Sequence, residues 1–144
     1  MPVVRNPQFY FKEGFCWSDI NTTFLKCRKK QKSINDVKSM SLYSLTSYMP
    51  EYYIVCIINS SFMSFYVDDF VNNTQTFQIN DARQLPIIIP SVEQISEFKK
   101  LFDFATRIKK EQLISKIPEN EVDEKLTEIQ NVLDKMIRKL YCIV

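Results

Sequence analysis

The last third of the chain carries the most regular alternation of apolar and polar residues. From Ser91 to Leu113, Ile95, Phe98, Phe102, Ala105, Ile108 and Leu113 recur along one helical stripe, which Leu101 and Phe104 widen. From Glu121 to Tyr141, Val122, Leu126, Ile129, Leu133, Met136 and Leu140 follow alternating steps of four and three, a heptad seam. Glu119, Glu121, Asp123 and Glu124 gather at the start of this second helix, and Lys135, Arg138 and Lys139 at its end, as the helix dipole favours. The break around residues 115–118 is short, so the pattern predicts an antiparallel helical hairpin over residues 91–144, a spacer or docking segment.

A sharp junction precedes the hairpin. Leu85-Pro86-Ile87-Ile88-Ile89-Pro90 is apolar and clamped between two prolines, each of which fixes its own φ and biases the residue before it toward extended geometry. Ser91 and Gln94 then have the spacing of a capping box. An extended tether is therefore expected to deliver the chain onto the first long helix.

Periodicity is less decisive upstream. Residues 8–12 (Gln-Phe-Tyr-Phe-Lys) read as a strand closed by a turn at Gly14, and Phe15 to Ile20 and Thr22 to Cys27 as its continuation into a small sheet. Lys29 to Lys38 reads as a polar loop, and Ser39 to Tyr48 as a short strand and loop. For Tyr52 to Ile58, β-branched and aromatic residues favour a buried strand, whereas Pro50-Glu51 resembles a helix's first turn, and the pattern leaves both open. Phe62, Phe65, Tyr66 and Phe70 recur at helical spacing, as aromatic core filling. The expected architecture is α+β, with a β-rich module and packed helices over residues 1–90 and the hairpin over residues 91–144.

Composition narrows the chemistry. One glycine in 144 residues leaves no glycine-rich phosphate loop, so common nucleotide sites are disfavoured. With no histidine and four cysteines that form no Cys-x-x-Cys pair, no metal site and no cofactor are expected. The longest apolar run, Tyr52 to Ile58, falls well below the roughly 20 residues of a membrane span, and no cleavable leader is seen, so a reducing cytoplasm and no membrane partner are expected. No nucleophile and base stand out for catalysis.

Charge changes the picture further. The net charge is +2, but residues 1–40 carry eight Lys or Arg against three acids, residues 41–90 one against four, and residues 91–144 ten against ten. The excess is concentrated in Lys26, Arg28, Lys29, Lys30, Lys32 and Lys38. Such a cluster is either a solvated lysine-rich loop or a phosphate-contacting patch, since cations of this kind provide the sequence-independent part of nucleic-acid affinity.

Segments spread along the chain resemble the C-terminal target-recognition (TaqI-like specificity) region of adenine-specific DNA methyltransferases of type IIG restriction-modification and phage-exclusion (BREX-like) systems. They are Asn6-Pro-Gln-Phe-Tyr-Phe-Lys-Glu-Gly-Phe-Cys-Trp-Ser-Asp19, Tyr53-Ile-Val-Cys-Ile-Ile-Asn-Ser60, Phe77-Gln-Ile-Asn80, Leu85 to Pro90, Glu93-Gln94 and Leu140-Tyr141. Cys142 stands where that family usually has glycine. The resemblance implies a helix over Tyr52 to Ile58. It covers no catalytic half: Asn6-Pro7-Gln8-Phe9 looks like an adenine-holding Asn-Pro-Pro-Tyr motif, but no preceding strand or cofactor fold accompanies it, and it reads as a turn entering the first strand.

The expected function is sequence-specific recognition of double-stranded DNA without intrinsic catalysis, in concert with a methyltransferase catalytic domain or subunit. Lys26, Arg28, Lys29, Lys30 and Lys32 would contact phosphates, and Thr76, Gln78 and Asn80 would read base edges. For these three polar residues, turn and strand hydrogen bonding is the competing reading. The alternative function is a structural module whose hairpin docks on a methyltransferase partner or self-associates through the C-terminal helices.

Overall fold

A computed structural model describes residues 6–18, 25–34, 39–115 and 117–144. Pro7–Phe9 forms a 3₁₀ turn, in keeping with the turn read at Asn6–Phe9, but the strand expected over residues 8–12 is absent and the sheet begins at Gly14. Strand β1 (Gly14–Ser18) is flanked by β2 (Cys27–Lys30) and β3 (Ser39–Leu42), both antiparallel to it, in the order β2-β1-β3. The register sets Phe15 opposite Lys29 and Leu42, and Trp17 opposite Cys27 and Met40. Lys29 and Lys30, expected in a loop, therefore belong to an edge strand. The expectations for residues 19–24, and Lys38, fall outside the described residues.

Gly14 is not a turn residue. It opens β1 without a positive φ, and a Cβ added to it would lie 2.5 Å from the Leu42 carbonyl oxygen and 2.7 Å from the Tyr43 ring. The chain's one glycine is needed for close approach: Tyr43 lies over it and stacks on Phe9 with centroids 5.1 Å apart.

Helix α1 (Glu51–Ile58) is the centre of the molecule. Tyr53 through Ile58 are all buried, and a helix that is apolar on every side is stable only when it is enclosed. It packs on β1, β2 and the first long helix of the hairpin. Burial overrides the β propensity of its residues. It ends at Asn59, and α2 (Ser61–Tyr66) begins after Ser60, whose Oγ accepts from the Met63 amide at 3.2 Å. A single π-helical turn, Val67–Val71, and a short helix α3 (Ile79–Ala82) follow.

The proline-flanked segment has no helix or strand over residues 85–90, and the Ile87 amide donates to the Leu85 carbonyl at 3.0 Å in a tight turn about Pro86, a departure from the extended tether expected. Two tyrosines hold it: the Tyr53 hydroxyl donates to the Ile88 carbonyl at 2.6 Å, and the Tyr141 hydroxyl donates to the Pro86 carbonyl. Burial pushes both phenols above their ordinary pKa. At the junction the capping box forms, with Ser91 N–H donating to Gln94 Oε1 at 2.8 Å and Gln94 N–H to Ser91 Oγ at 3.2 Å.

Helices α4 (Val92–Ser115) and α5 (Glu119–Leu140) form the hairpin. On α4 the buried stripe stops at Ile108; Leu113, expected to continue it, is 84% exposed. On α5 the most enclosed positions are Val122, Ile129, Leu133 and Ile137, the last outside the expected seam. The core is continuous across residue 90, because Phe98, Leu133 and Ile137 pack in one cluster with Trp17, Tyr53 and Phe77. A second cluster of Ile108, Val122 and Ile129 lies farther along the hairpin.

Polar contacts lock the hairpin to the α1–α2 junction. Asp134 Oδ1 accepts from the Ser61 amide at 2.8 Å, capping α2 from another helix, and Gln130 Nε2 donates to the Asn59 carbonyl at 3.0 Å. Helix α5 closes with the Ile143 amide on the Arg138 carbonyl and the Cys142 amide on the Lys139 carbonyl. This Schellman arrangement requires a left-handed residue at Cys142, whose φ is 54°. No single helix among the described residues is long and apolar enough to cross a membrane.

Candidate nucleic-acid interface

The expected phosphate-contacting residues centre on β2, the edge strand. Strand pairing divides them between two faces and two environments. Arg28 lies opposite Cys16 and is exposed; Lys29 lies opposite Phe15 and is ion-paired with Glu13 at 3.4 Å. Lys26 and Lys32, just outside the strand, are exposed. Lys26, Arg28 and Lys32 form no ion pair among the described residues.

Lys30 differs from its neighbours. Only 5% exposed, it directs its ammonium to the Tyr43 hydroxyl at 2.9 Å and the Lys12 carbonyl at 3.4 Å, with the Tyr43 ring centroid 5.1 Å away. A buried ammonium is stable only with such acceptors, and these commit it to the interior. The geometry thus corrects the expectation for Lys30: it cannot reach a phosphate without leaving its seat. Lys12, not singled out by the sequence, is the exposed counterpart, with its ammonium 5.6 Å from the Phe9 centroid. The ordered series Lys12, Phe9, Tyr43, Lys30 is a cation–aromatic stack that braces the end of β2.

Outward-facing backbone groups of an edge strand need partners or solvent. At Cys27 the Asn59 side chain supplies both: its Oδ1 accepts from the Cys27 amide at 2.7 Å, and its Nδ2 donates to the Cys27 carbonyl at 2.7 Å. One side-chain amide imitates a neighbouring strand and ties β2 to the end of α1. The cations are therefore held on a fixed ledge.

Trp17 ties the segment that carries the expected base-reading residues to β1. Its indole Nε1 donates to the Phe77 carbonyl at 3.0 Å, and the two rings meet edge to face at 5.6 Å, while Trp17 pairs with Cys27 in the sheet. Phe77 is buried, and Gln78 and Asn80 emerge beyond it into solvent. Thr76 is half-buried in a turn, where its carbonyl accepts from Asn72 Nδ2 at 2.8 Å and its amide donates to Thr74 Oγ1 at 3.3 Å. The Gln78 amide donates to Asp81 at 2.8 Å at the start of α3, and Asn80 Oδ1 accepts from the Arg83 guanidinium at 3.2 Å. Gln78 and Asn80 are exposed but locally engaged, Gln78 in the capping box of α3 and Asn80 with Arg83, and Thr76 serves mainly to shape the loop.

The cysteines take no part in this surface. Cys16, Cys27 and Cys56 are buried free thiols, and burial pushes Cys27 and Cys56 up to about 12, so both are neutral at pH 7. No group of three or more His, Cys, Asp or Glu side chains suited to a metal ion occurs among the described residues. Comparison of the chain with protein-family models and with curated proteins gives no match to either.

Proposed function

We propose that this chain is the DNA-recognition piece of an adenine-specific DNA methyltransferase or restriction-modification system, working in the cytoplasm with a catalytic domain or subunit that it does not itself contain. One observation chiefly supports the reading: Lys26, Arg28 and Lys32 stand exposed without an acidic partner among the described residues, on and beside a braced edge strand. Free cations on a rigid support suit phosphates, whose neutralisation releases condensed counterions. The exposed amides of Gln78 and Asn80, joined to that strand through Trp17, suit base edges in the major groove.

A fluorescence anisotropy titration of labelled double-stranded DNA, with the catalytic subunit present, tests it. Arg28→Glu with Lys32→Glu is expected to weaken binding alike on all sequences and to flatten the plot of log affinity against log salt by about two units. Gln78→Ala is expected to reduce discrimination between sites by roughly 1 to 3 kcal/mol while leaving the salt slope in place. An unchanged affinity and slope in the charge-reversed variant would remove the proposed interface. Lys30 is unsuitable for this test, since its replacement perturbs the fold.

A second reading draws on the hairpin. Leu113 and Ile114 near the tip of α4, and Ile89 and Val92 at its base, are between 66% and 84% exposed. In that reading the hairpin docks on the methyltransferase partner or on a second copy. Sedimentation across a concentration range, with and without Leu113→Glu, distinguishes self-association from a monomer.

A further inference from the structure

Next to the basic ledge, the backbone holds one aromatic residue in a conformation that it ordinarily avoids. Residues Phe9 to Lys12 form a turn closed by the Lys12 amide on the Phe9 carbonyl at 3.5 Å; Tyr10 has φ −67° and ψ 140°, and Phe11 has φ 57°. These are the angles of a type II turn, whose third position demands positive φ and therefore favours glycine or asparagine. Here it is phenylalanine, with its Cβ in the crowded left-handed region. Core packing gives no compensation, since Phe11 is 60% exposed.

The turn also adjoins the cations. Lys12 follows Phe11 and is exposed, its carbonyl accepts from Lys30, and Glu13 pairs with Lys29. A large aromatic face, displayed at a cost in backbone energy on a turn that adjoins the basic strand, matches a nucleobase whose phosphates lie on the cations. An apolar partner would have no use for Lys12, Arg28 and Lys32, whereas a fully stacked base pair offers no free face.

We infer that Phe11 is a stacking platform for an unpaired base, so that the ledge prefers DNA containing an unpaired nucleotide to the same DNA fully paired. The inference rests on the DNA-recognition reading and adds a ligand feature to it. Stacking is tolerant of base identity because every base has a π face, so this contact strengthens binding without adding sequence information.

Two labelled duplexes of one sequence, fully paired and with a single unpaired adenine, are titrated by anisotropy against the full chain with its catalytic subunit. The wild type is expected to bind the second on the order of 10-fold more tightly. Phe11→Tyr keeps a ring and is expected to keep the preference. Phe11→Leu keeps the backbone cost and is expected to reduce the preference to about 2-fold or less, without a gain in melting temperature. Phe11→Gly is expected to lose the preference while melting about 3 °C higher, because the turn relaxes. Equal wild-type affinity for the two duplexes, or a preference that survives in Phe11→Leu and Phe11→Gly, overturns the inference alone. Failure to bind either duplex overturns it together with the DNA-recognition reading.

Discussion

Lys30 occupies the interior while Arg28, Lys29 and Lys32 around it do not, and the difference lies in what each side chain meets. In the sequence the four are equivalent members of one cationic cluster. Which of them turns inward depends on the pairing of β2 with β1 and on the ring of Tyr43, thirteen residues away. Lys30→Glu would bring a carboxylate against the Lys12 carbonyl and the Tyr43 ring, so it is expected to destabilise the fold by about 3 kcal/mol or more. Lys30→Met keeps the aliphatic stem but leaves the acceptors unpaired, and is expected to cost about 1 to 2 kcal/mol. Lys32→Glu, on an exposed residue, is expected to stay within about 0.5 kcal/mol of wild type. Urea denaturation ranks the three, and equal midpoints for the Lys30 and Lys32 variants would place the Lys30 ammonium in solvent.

Among the elements, the proline-flanked strap is the one whose role is clearest. It belongs to neither helix nor sheet, so most of its carbonyls need donors from elsewhere. Tyr53 from α1 and Tyr141 from the end of α5 provide them, joining the strap to both the central helix and the hairpin. That the segment is non-helical was readable from Pro86 and Pro90, but the tyrosine partners, 35 and 55 residues distant, were not. Tyr53→Phe and Tyr141→Phe each remove a hydroxyl and little volume, so each is expected to lower stability by about 1 kcal/mol. The pair is expected to depart from additivity because both hydroxyls restrain one short segment. Thermal melts of the single and double variants measure this, and two silent single variants would mean that water satisfies those carbonyls equally well.

At the scale of the molecule, the shared core couples the sheet half to the hairpin. Leu133 packs in the cluster that contains Trp17 of β1, Tyr53 of α1 and Phe98 of α4, so one core joins the sheet, the central helix and the hairpin. Leu133→Asp is expected to cost several kcal/mol through an unpaired buried charge and to weaken the sheet and the hairpin together. Far-ultraviolet circular dichroism and tryptophan fluorescence, which reports on Trp17 in β1, should therefore melt at one temperature in both wild type and variant. Two separated transitions would show that the hairpin folds independently of the sheet. Leu113→Asp, near the exposed tip, is the control and should leave the midpoint nearly unchanged.

Local signals in the sequence determined the α+β class, the two long helices, the Ser91–Gln94 capping box and the non-helical state of the proline-flanked strap, because each depends on residues within a few positions of one another. Tertiary structure alone decided the rest. Residues 52–58 carry strand-forming side chains, and the capacity of the surrounding layers to enclose a wholly apolar helix settles their state. Leu113 is exposed because, five residues after Ile108, it points away from the covered face, on which the next position, Gln112, is half-buried. Gly14 is explained by the ring of Tyr43, which directly follows the neighbouring strand β3, and Lys30 by the same ring. Of the candidate interface, the cationic cluster was legible as composition. Its division into a buried brace and an exposed ledge was not, because the two sets differ only in the contacts made by a strand edge, and those contacts come from residues far away along the chain.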